Sequence, residues 1–286
     1  MTFFVKATNL IISVFAISNF YKMMNYAYKK FYGDYCMLHL PFYLNNKDNL
    51  IQGQKNLVNY CISKLSGMKN KKVLDIGCGN GIQGIYILKI FNPLEYIGID
   101  INKYNIQIAN SMKEKNNIQN ISFNVDDAHG LKTIDNESVD IVLNIESAFH
   151  YPDKMKFLKE IYRVLKPGGE FLIADVLISK QKNNSLIPFR QKWTKYNNWT
   201  LEQYLNSLLS VNLETNFCKD ISNPIKKGIQ TYRNWYKDIK VNGMFYHLIA
   251  RTFIFLNAKW YNHMLKHSHK YYVFAGVKLQ SEKLLQ

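Results

Sequence analysis

Short apolar runs alternate with amphipathic stretches through the middle of the 286-residue chain. A short apolar run is typical of a buried strand, whereas apolar residues three and four positions apart form one face of a helix. Strands that alternate with helices over short connections predict a parallel, doubly wound α/β sheet. The predicted strands are 72–75, 96–100, 121–125, 139–144 and 170–175, and the predicted helices are 81–91, 104–115 and 154–165.

The two ends of the chain depart from this alternation. Helical patterns precede the first strand, and a polar, loop-like stretch at 179–198 follows the fifth. Thr200-x-x-Gln203 is a capping-box pattern that predicts the start of the next helix. The remaining predicted elements are helices at 3–32, 48–66, 200–211 and 224–264 and strands at 213–218 and 271–277.

We therefore expect a seven-stranded, Rossmann-like sheet whose last two strands form an antiparallel edge. N-terminal helices precede the sheet, and a helical cap is inserted before the last strand. The expected regions are an N-terminal helical lid (1–70), a nucleotide-binding core (71–178), and a segment holding the cap and the final strands (179–286).

The net charge of +16 lies outside the predicted core. Residues 1–72 carry +8 and residues 179–286 carry +12, whereas residues 73–178 carry −4. A basic periphery attracts anionic substrates, anionic membranes or nucleic acid, although a lysine-rich solvated surface gives the same count. The four cysteines lack metal-ligand spacing, so we expect reduced thiols, no metal site and a cytoplasmic protein. The sequence contains no run of 18 uncharged apolar residues, so it predicts no transmembrane helix.

A glycine-rich turn, Asp75-Ile76-Gly77-Cys78-Gly79-Asn80-Gly81, follows the first predicted strand. Glycines at alternate positions let the backbone turn sharply and admit a ligand against bare main chain. The spacing differs from the G-x-G-x-x-G of dinucleotide folds, and a carboxylate before it would repel a phosphate. Asp75 instead suits a cationic ligand, such as an ammonium or a sulfonium. The second strand ends at Asp100, where a carboxylate suits the two hydroxyls of a ribose.

This combination resembles motif I of the class I S-adenosylmethionine (SAM) dependent methyltransferases. The resemblance implies SAM as the cofactor, bound at the carboxyl ends of the strands. It implies that Asp127 and Ala128 hold the adenine, with Asp126 as the neighbouring alternative to Asp127. The implied SAM-binding residues are Asp75, Gly77, Cys78, Gly79, Asp100, Ile101, Asp127, Ala128 and Asn144.

The loop after the fourth strand, Asn144 to Asp153, lies where the transferred methyl group is held in this fold. A histidine with a near-neutral pKa is a suitable general base there. We expect His150 to take the proton of the acceptor, with Glu146 as the alternative. The pattern Glu-Ser-x-x-His-x-Pro-Asp resembles small-molecule methyltransferases of the sugar O-methyltransferase, tocopherol and phthiotriol methyltransferase group. This resemblance implies that Asp175 acts with His150 as a catalytic pair.

A second passage, Met37-Leu38-His39-Leu40-Pro41-Phe42-Tyr43, resembles the N-terminal M-x-H-x-G-[FY]-[YW] segment of the same group. In that group the segment closes over the cofactor. The resemblance therefore implies that His39 and Tyr43 contact SAM. Pro41 departs from the pattern, because glycine is usual at its position.

The chemical class of the methyl acceptor is predicted from the segments before and after the core. Residues 244–256 are apolar on nearly all sides if helical, and the apolar N-terminal helix carries several lysines. These patterns favour a hydrophobic, lipid-like acceptor and contact with an anionic membrane. A general base favours methylation on oxygen, with an acidic carbon as the alternative. Packing of both segments on the core explains them equally well. The alternatives are a non-catalytic SAM-fold partner protein and an RNA methyltransferase, although the Asn/Asp-Pro-Pro-aromatic tetrad of base amino methyltransferases is missing after the fourth strand.

Overall fold

The computed structural model describes residues 2–179, 197–235 and 245–280. Eight helices and seven strands alternate along these residues. The helices are α1 (Thr2–Tyr32), α2 (Leu50–Ile62), α3 (Ile82–Phe91), α4 (Lys103–Lys115), α5 (Lys154–Val164), α6 (Leu201–Ser210), α7 (Ser222–Trp235) and α8 (Phe245–His267). The strands are β1 (Lys72–Ile76), β2 (Glu95–Asp100), β3 (Ile121–Val125), β4 (Val139–Ile145), β5 (Leu165–Ile178), β6 (Leu213–Asp220) and β7 (His269–Lys278).

The strands form one sheet in the order β3-β2-β1-β4-β5-β7-β6. Strands β1 to β5 are parallel, and β7 runs antiparallel to both β5 and β6. The predicted Rossmann-like fold, with its antiparallel edge formed by the last two strands, is confirmed. Only β7 is reversed, because β6 pairs antiparallel with β7 and so points the same way as β1 to β5.

Local sequence signals explain several element boundaries. Thr200 and Gln203 form the predicted capping box at the start of α6. Helix α5 ends at Val164, just before Lys166-Pro167-Gly168-Gly169, and Gly168 has a φ of 73° within the strand that follows. The helical region predicted at 224–264 consists of α7 and α8, with 236–244 outside the described residues. The predicted loop at 179–198 also lies mostly outside them.

Two apolar clusters cover the two faces of the sheet. Helices α5 and α6 contribute to one cluster, and the other helices contribute to the second. Helix α1 packs against α4 and α8, and Ala27 and Tyr28 near its end are buried. The N-terminal helix and the cap therefore lie on the same face of the sheet. The switch in strand order between β1 and β4 leaves a crevice at the carboxyl ends of these strands, where ligands bind in open α/β sheets.

A buried ion pair joins β5 to α5. Asp175 is fully buried, and its Oδ2 accepts from Lys154 Nζ at 2.7 Å and from the Tyr204 hydroxyl at 2.6 Å. Its Oδ1 accepts from the Val176 amide. Lys154 Nζ also donates to the Ala148 carbonyl at 2.6 Å, beneath the short 3-10 turn Ala148–His150. These bonds correct the expectation that Asp175 acts directly with His150, because the carboxylate is already bound to Lys154 and Tyr204.

Replacing Lys154 with alanine tests this ion pair. The variant leaves the Asp175 carboxylate buried without its cation, so we expect the free energy of unfolding to fall by about 3–5 kcal/mol. Lys166→Ala is the control, because Lys166 pairs with Asp140 at a partly exposed site, where such a pair contributes up to about 1 kcal/mol. Urea unfolding at pH 7 measures both variants. Equal losses of unfolding free energy in the two variants would contradict a stabilising role for the buried Lys154–Asp175 pair.

Candidate active site

The turn after β1 exposes its backbone. Gly77, Gly79 and Gly81 have φ values of 80°, 57° and 74°, in the left-handed region that favours glycine. The amides of Gly77 and Cys78 both donate to the Ile99 carbonyl, at 2.7 and 2.9 Å. A Cβ on Gly77 would overlap the Ser147 side chain, and a Cβ on Gly79 would lie 3.0 Å from Leu38. The glycines therefore let the turn fit between the β4 loop and the segment that contains Leu38.

Asp100 is fixed to the same turn. Its Oδ2 accepts from the Gly79 amide at 3.0 Å, and its Oδ1 accepts from the Asn102 amide at 2.8 Å. Burial raises the pKa of this carboxyl above its usual value. Ile101 follows with an exposed side chain. Asn105 Nδ2 also donates to Oδ2, over a longer distance of 3.4 Å, whereas Oδ1 can accept a further hydrogen bond, as from a ribose hydroxyl.

The two acids after β3, Asp126 and Asp127, differ in their hydrogen-bond partners. Asp126 closes its own loop, because its oxygens accept from the Thr133 amide and hydroxyl and from the Asp127 amide. Asp127 Oδ1 accepts from the His129 amide and faces His129 Nδ1 at 2.7 Å. These bonds to His129 lower the pKa of Asp127. No described residue bonds to Asp127 Oδ2, so Asp127 rather than Asp126 has an oxygen available for a ligand.

These groups line one cavity with about 1100 Å³ of empty space, its open mouth included. The cavity lies at the carboxyl ends of β1, β2 and β4, with α1 over it. Of the residues predicted from sequence, its walls include Gly77, Cys78, Gly79, Asp100, Ile101, Asp127, Ala128, His39, Glu146 and His150. The structure thus brings ten of the predicted site residues together.

Asp75 lies behind the turn rather than in this wall. It is fully buried, and its Oδ2 accepts from the Tyr96 hydroxyl and from Gln83 Nε2. Its Oδ1 is buried without a partner among the residues that the structure describes. Burial raises the pKa of Asp75 to about 6. Asp75 therefore lies beneath the backbone of the turn, where it does not contact the cavity directly.

Asn144 also supports the turn from behind. It is fully buried, and its Nδ2 donates to the Ile76 carbonyl at 2.8 Å and to Ser147 Oγ at 2.6 Å. The Tyr151 hydroxyl lies 2.9 Å from Ser147 Oγ and completes the cluster. This geometry corrects the expectation of direct cofactor contact, because Asn144 does not line the cavity: its Nδ2 is bonded to the protein, and its Oδ1 is buried without a partner among the described residues.

The position of Tyr43 corrects the prediction that this residue contacts SAM. Its buried ring packs where a Cβ on Gly53 or Gly228 would stand, and its amide donates to the Pro224 carbonyl. Pro41, the departure from the family pattern, packs against the same two glycines. Tyr43 and Pro41 therefore join α2 to α7 and do not line the cofactor cavity.

The lid segment, residues 37–40, is held by a residue that the sequence reading missed. Gln54 is fully buried on α2, and its Oε1 accepts from the Met37 amide at 3.0 Å. Its Nε2 donates to the carbonyls of Met37 (2.7 Å) and His39 (2.8 Å). His39 lines the cavity, and burial lowers its pKa to about 4, so the ring is neutral at pH 7. A buried glutamine within a helical pattern gives no sequence signal of such a role.

His150 lies at the mouth of the cavity beneath α1. Its Nε2 is 3.0 Å from the Tyr21 hydroxyl, and the two rings meet edge to face at 5.7 Å. Ile17 and Tyr21 of α1 line the same cavity. The contact between Tyr21 and His150 therefore joins the N-terminal helix to the loop after β4.

Glu146 lies where this cavity meets a second one. Its φ of 56° is unusual for a residue with a side chain, its amide donates to the Ala174 carbonyl, and its Oε1 accepts from the Leu40 amide at 2.8 Å. Burial raises its pKa to about 8. The second cavity has about 480 Å³ of empty space, counting its mouth. Its walls are mainly apolar and include Met24, Tyr28, Leu40, Leu50, Ile229, Phe253, Ile254 and Ala258.

Comparisons with known proteins agree with this site. A family model described as a methyltransferase domain matches residues 68–238, more than half of the chain. A phthiotriol/phenolphthiotriol dimycocerosates methyltransferase of Mycobacterium tuberculosis is 38% identical over 106 residues, 37% of this chain and 38% of that protein. A fatty-acid O-methyltransferase of Mycolicibacterium smegmatis is 40% identical over 108 residues, 38% of each protein.

One solved structure extends the likeness to nearly the whole fold. A putative sarcosine dimethylglycine methyltransferase from Galdieria sulphuraria superposes with a TM-score of 0.78 at 16% identity, over 90% of this chain and 97% of that one. The chain therefore belongs to the methyltransferase domain family, with the fold of the class I SAM-dependent methyltransferases. The predicted family and cofactor are confirmed. The chain spans under two fifths of the length of the curated relatives it matches.

Two substitutions test the cofactor cavity. Asp100→Ala removes a charged hydrogen-bond acceptor, so we expect SAM affinity to fall by about 1.5–3 kcal/mol, roughly 10- to 150-fold in Kd. Gly79→Val should abolish binding, because valine disfavours a φ of 57° and its side chain would approach Leu38. Isothermal calorimetry measures both, with exposed Asp135→Ala as the control for lost charge. Wild-type affinity in Asp100→Ala would rule out its contact with the ribose.

Proposed function

We propose that the protein transfers a methyl group from SAM to an oxygen of a hydrophobic, lipid-like acceptor. The observation that carries the proposal is the meeting of two cavities at Leu38 and Glu146, one suited to a nucleoside and the other apolar. Methyl transfer from a sulfonium is an in-line displacement. The enzyme therefore contributes mainly by aligning donor and acceptor and by excluding water.

The first cavity fits SAM in shape and charge. In this proposal Asp100 binds the ribose hydroxyls and Asp127 Oδ2 accepts from the adenine amino group, with Ala128 beside the ring. The Gly77-Cys78-Gly79 backbone receives the methionine part. Asp75, with its buried and unpartnered Oδ1, supplies negative charge toward the cationic end of the ligand. When bound, SAM supplies an electrophilic methyl group, and the residues named here hold it in place.

The second cavity supports a lipid-like acceptor. Its walls come mainly from α1, α2, α7, α8 and the lid segment, and they are apolar except for Glu146, Asn257 and the phenols of Tyr28 and Tyr261. Two curated relatives are named for methylating phthiotriol compounds and fatty acids. Both kinds of acceptor suit a predominantly apolar cavity. The apolar walls support a lipid-like acceptor over RNA, since RNA binding relies on basic and stacking surfaces.

His150 is proposed to close the cofactor cavity. Its Nε2 lies within hydrogen-bond distance of Tyr21, so the ring fixes α1 over the mouth. The sequence predicts His150 as the general base, and that role requires a lone pair on one ring nitrogen. A hydrogen bond donated by Tyr21 to Nε2 would occupy that nitrogen's lone pair. Glu146, which borders both cavities, is the competing candidate.

Peripheral contact with an anionic membrane is part of the proposal. Leu248, Ile249 and Leu256 are exposed on α8, and Lys22 and Lys29 are exposed on α1, which packs against α8. Apolar residues beside lysines are typical of helices that lie on anionic bilayers. Within the described parts of the chain, no helix is long and apolar enough to span a membrane. Contact at the surface would give a lipid acceptor a short path to the second cavity.

The reaction is tested by incubating the enzyme with deuterated-methyl SAM and a total lipid extract, followed by mass spectrometry of the organic phase. We expect label in hydrophobic products. Ala258→Leu narrows the second cavity, so it should reduce this labelling at least tenfold without changing SAM affinity, because Ala258 does not line the first cavity. Label found only in RNA or polar metabolites would overturn the proposed acceptor class.

Membrane contact is tested by sedimentation with vesicles that contain phosphatidylglycerol. Replacing both Leu248 and Leu256 with serine removes exposed apolar surface from α8, so we expect vesicle binding to fall several-fold. Leu94→Ser is the control, since Leu94 is at least as exposed as Leu248 and Leu256 but lies just ahead of β2 and outside α8. Unchanged binding of the double variant would contradict a role for α8.

A further inference from the structure

Glu146 lines both cavities. Across the described parts of the chain, only Leu38 and Glu146 line both of them, and of these two only Glu146 can exchange a proton. On the basis of the proposed methyl transfer, we infer that the acceptor is a neutral hydroxyl compound, an alcohol or phenol on an apolar body. We further infer that the Glu146 carboxylate is the base that takes the hydroxyl proton.

The walls of the second cavity support a neutral acceptor group. Their polar side chains are the carboxyl of Glu146, the phenols of Tyr28 and Tyr261 and the amide of Asn257, and the described wall contains no lysine or arginine. With SAM bound, an acceptor carboxylate or phosphate would add a second negative charge beside the Glu146 carboxylate, with the sulfonium as the counter-charge for both, and like charges repel strongly in a low-dielectric site. A hydroxyl avoids this repulsion because it donates a hydrogen bond to the carboxylate.

The backbone holds Glu146 in place for this role. Its amide donates to the Ala174 carbonyl at 2.8 Å, and its Oε1 accepts from the Leu40 amide at 2.8 Å. A left-handed backbone conformation is unfavourable for a glutamate and persists where the surroundings fix it, often at functional sites. His150, in contrast, lines the cofactor cavity but not the second cavity.

The groups around Glu146 make its protonation sensitive to charge in the cofactor cavity. Burial raises its pKa to about 8, so the Glu146 carboxyl mostly holds a proton at pH 7 when no cation is bound nearby. A sulfonium in the adjacent cavity stabilises the carboxylate and lowers this pKa. The groups that face Glu146 are the Leu40 amide from the lid, Cys61 from α2, Asp175 from β5 and Tyr271 from β7, with His39 and His150 in the cofactor cavity.

The proposed step balances in atoms and charge. Glu146 accepts the hydroxyl proton as the O–H bond breaks, and an oxygen lone pair forms the bond to the methyl carbon. The electron pair of the broken S–CH₃ bond stays on sulfur, which becomes a neutral thioether. The carboxylate and the sulfonium are thus neutralised together, so no net charge is created between the buried cavities.

The first test needs no turnover. Calorimetric titration at pH 7 in two buffers of different ionisation enthalpy measures the protons released on ligand binding. We expect the wild type to release more protons with SAM than with S-adenosylhomocysteine, whose sulfur is neutral, and Glu146→Gln to reduce this difference by the share of Glu146. Subtracting the glutamine variant removes the contributions of Asp75 and Asp100. An unchanged difference in Glu146→Gln would overturn the role of Glu146 as the charge-sensitive base.

The second test separates Glu146 from His150 by steady-state kinetics. Glu146→Gln should lower kcat by about 10²–10⁴-fold, the range for general-base catalysis, with the Kd for SAM within threefold of the wild type. His150→Gln should act mainly through the KM for SAM, because it loses the contact with Tyr21, and kcat should fall less than tenfold. A large loss of kcat in His150→Gln with little loss in Glu146→Gln would assign the base to His150.

The third test identifies the acceptor group from the labelled lipid products. Methyl ethers survive mild alkali and release labelled methyl iodide in hydroiodic acid, whereas methyl esters lose their label in alkali and C-methyl groups resist both reagents. We expect alkali-stable label that hydroiodic acid releases. Alkali-labile or fully resistant label would overturn the neutral hydroxyl acceptor while leaving methyl transfer intact. No label in any lipid would instead contradict the proposed function itself.

Discussion

The site depends on the sharp turn between β1 and α3. Two successive amides of this turn, Gly77 and Cys78, donate to the Ile99 carbonyl, and the next amide, Gly79, donates to Asp100. The backbone needs left-handed conformations at alternate residues to make these bonds. The same bonds fix the end of β2 relative to the end of β1. The positions of the ribose acid and of the bare backbone are therefore set by one structural element.

The loop after β4 supports the turn on one side and borders the cavities on the other. Asn144, Ser147 and Tyr151 form a partly buried hydrogen-bonded cluster under the turn, and Ser147 and Tyr151 line the cofactor cavity together with Glu146 and His150. A substitution in the supporting cluster would change activity by moving the turn. Activity loss alone would not distinguish such a residue from one that contacts the substrates.

Charge links the cofactor to the protein around it. Burial raises the pKa values of Asp75, Asp100 and Glu146, so their surroundings disfavour the carboxylate forms. A bound sulfonium would favour the carboxylates by its positive charge, and a ligand that binds only the native state stabilises that state. The acidic core between basic flanks is therefore consistent with a cationic cofactor, whereas a phosphate-bearing ligand would be repelled.

The sequence predicted the sheet and the cofactor cavity well because both depend on local patterns. Alternating elements specify a parallel sheet, and its carboxyl edge gathers the turn, Asp100 and Asp127 without knowledge of tertiary contacts. The failures involve side chains whose partners are distant in sequence. Asp175 is bound by Lys154 and Tyr204, 21 and 29 residues away. A motif cannot show whether such a carboxylate faces a cavity or a buried lysine.

The central claim is that donor and acceptor meet at Glu146. The most direct measurement is a crystal structure of the complex with S-adenosylhomocysteine and a long-chain alcohol. The account predicts the alkyl chain in the second cavity, with the alcohol oxygen within hydrogen-bond distance of Glu146 and directed toward the sulfur. An alcohol oxygen bound to His150 instead, or an alkyl chain outside the second cavity, would contradict it.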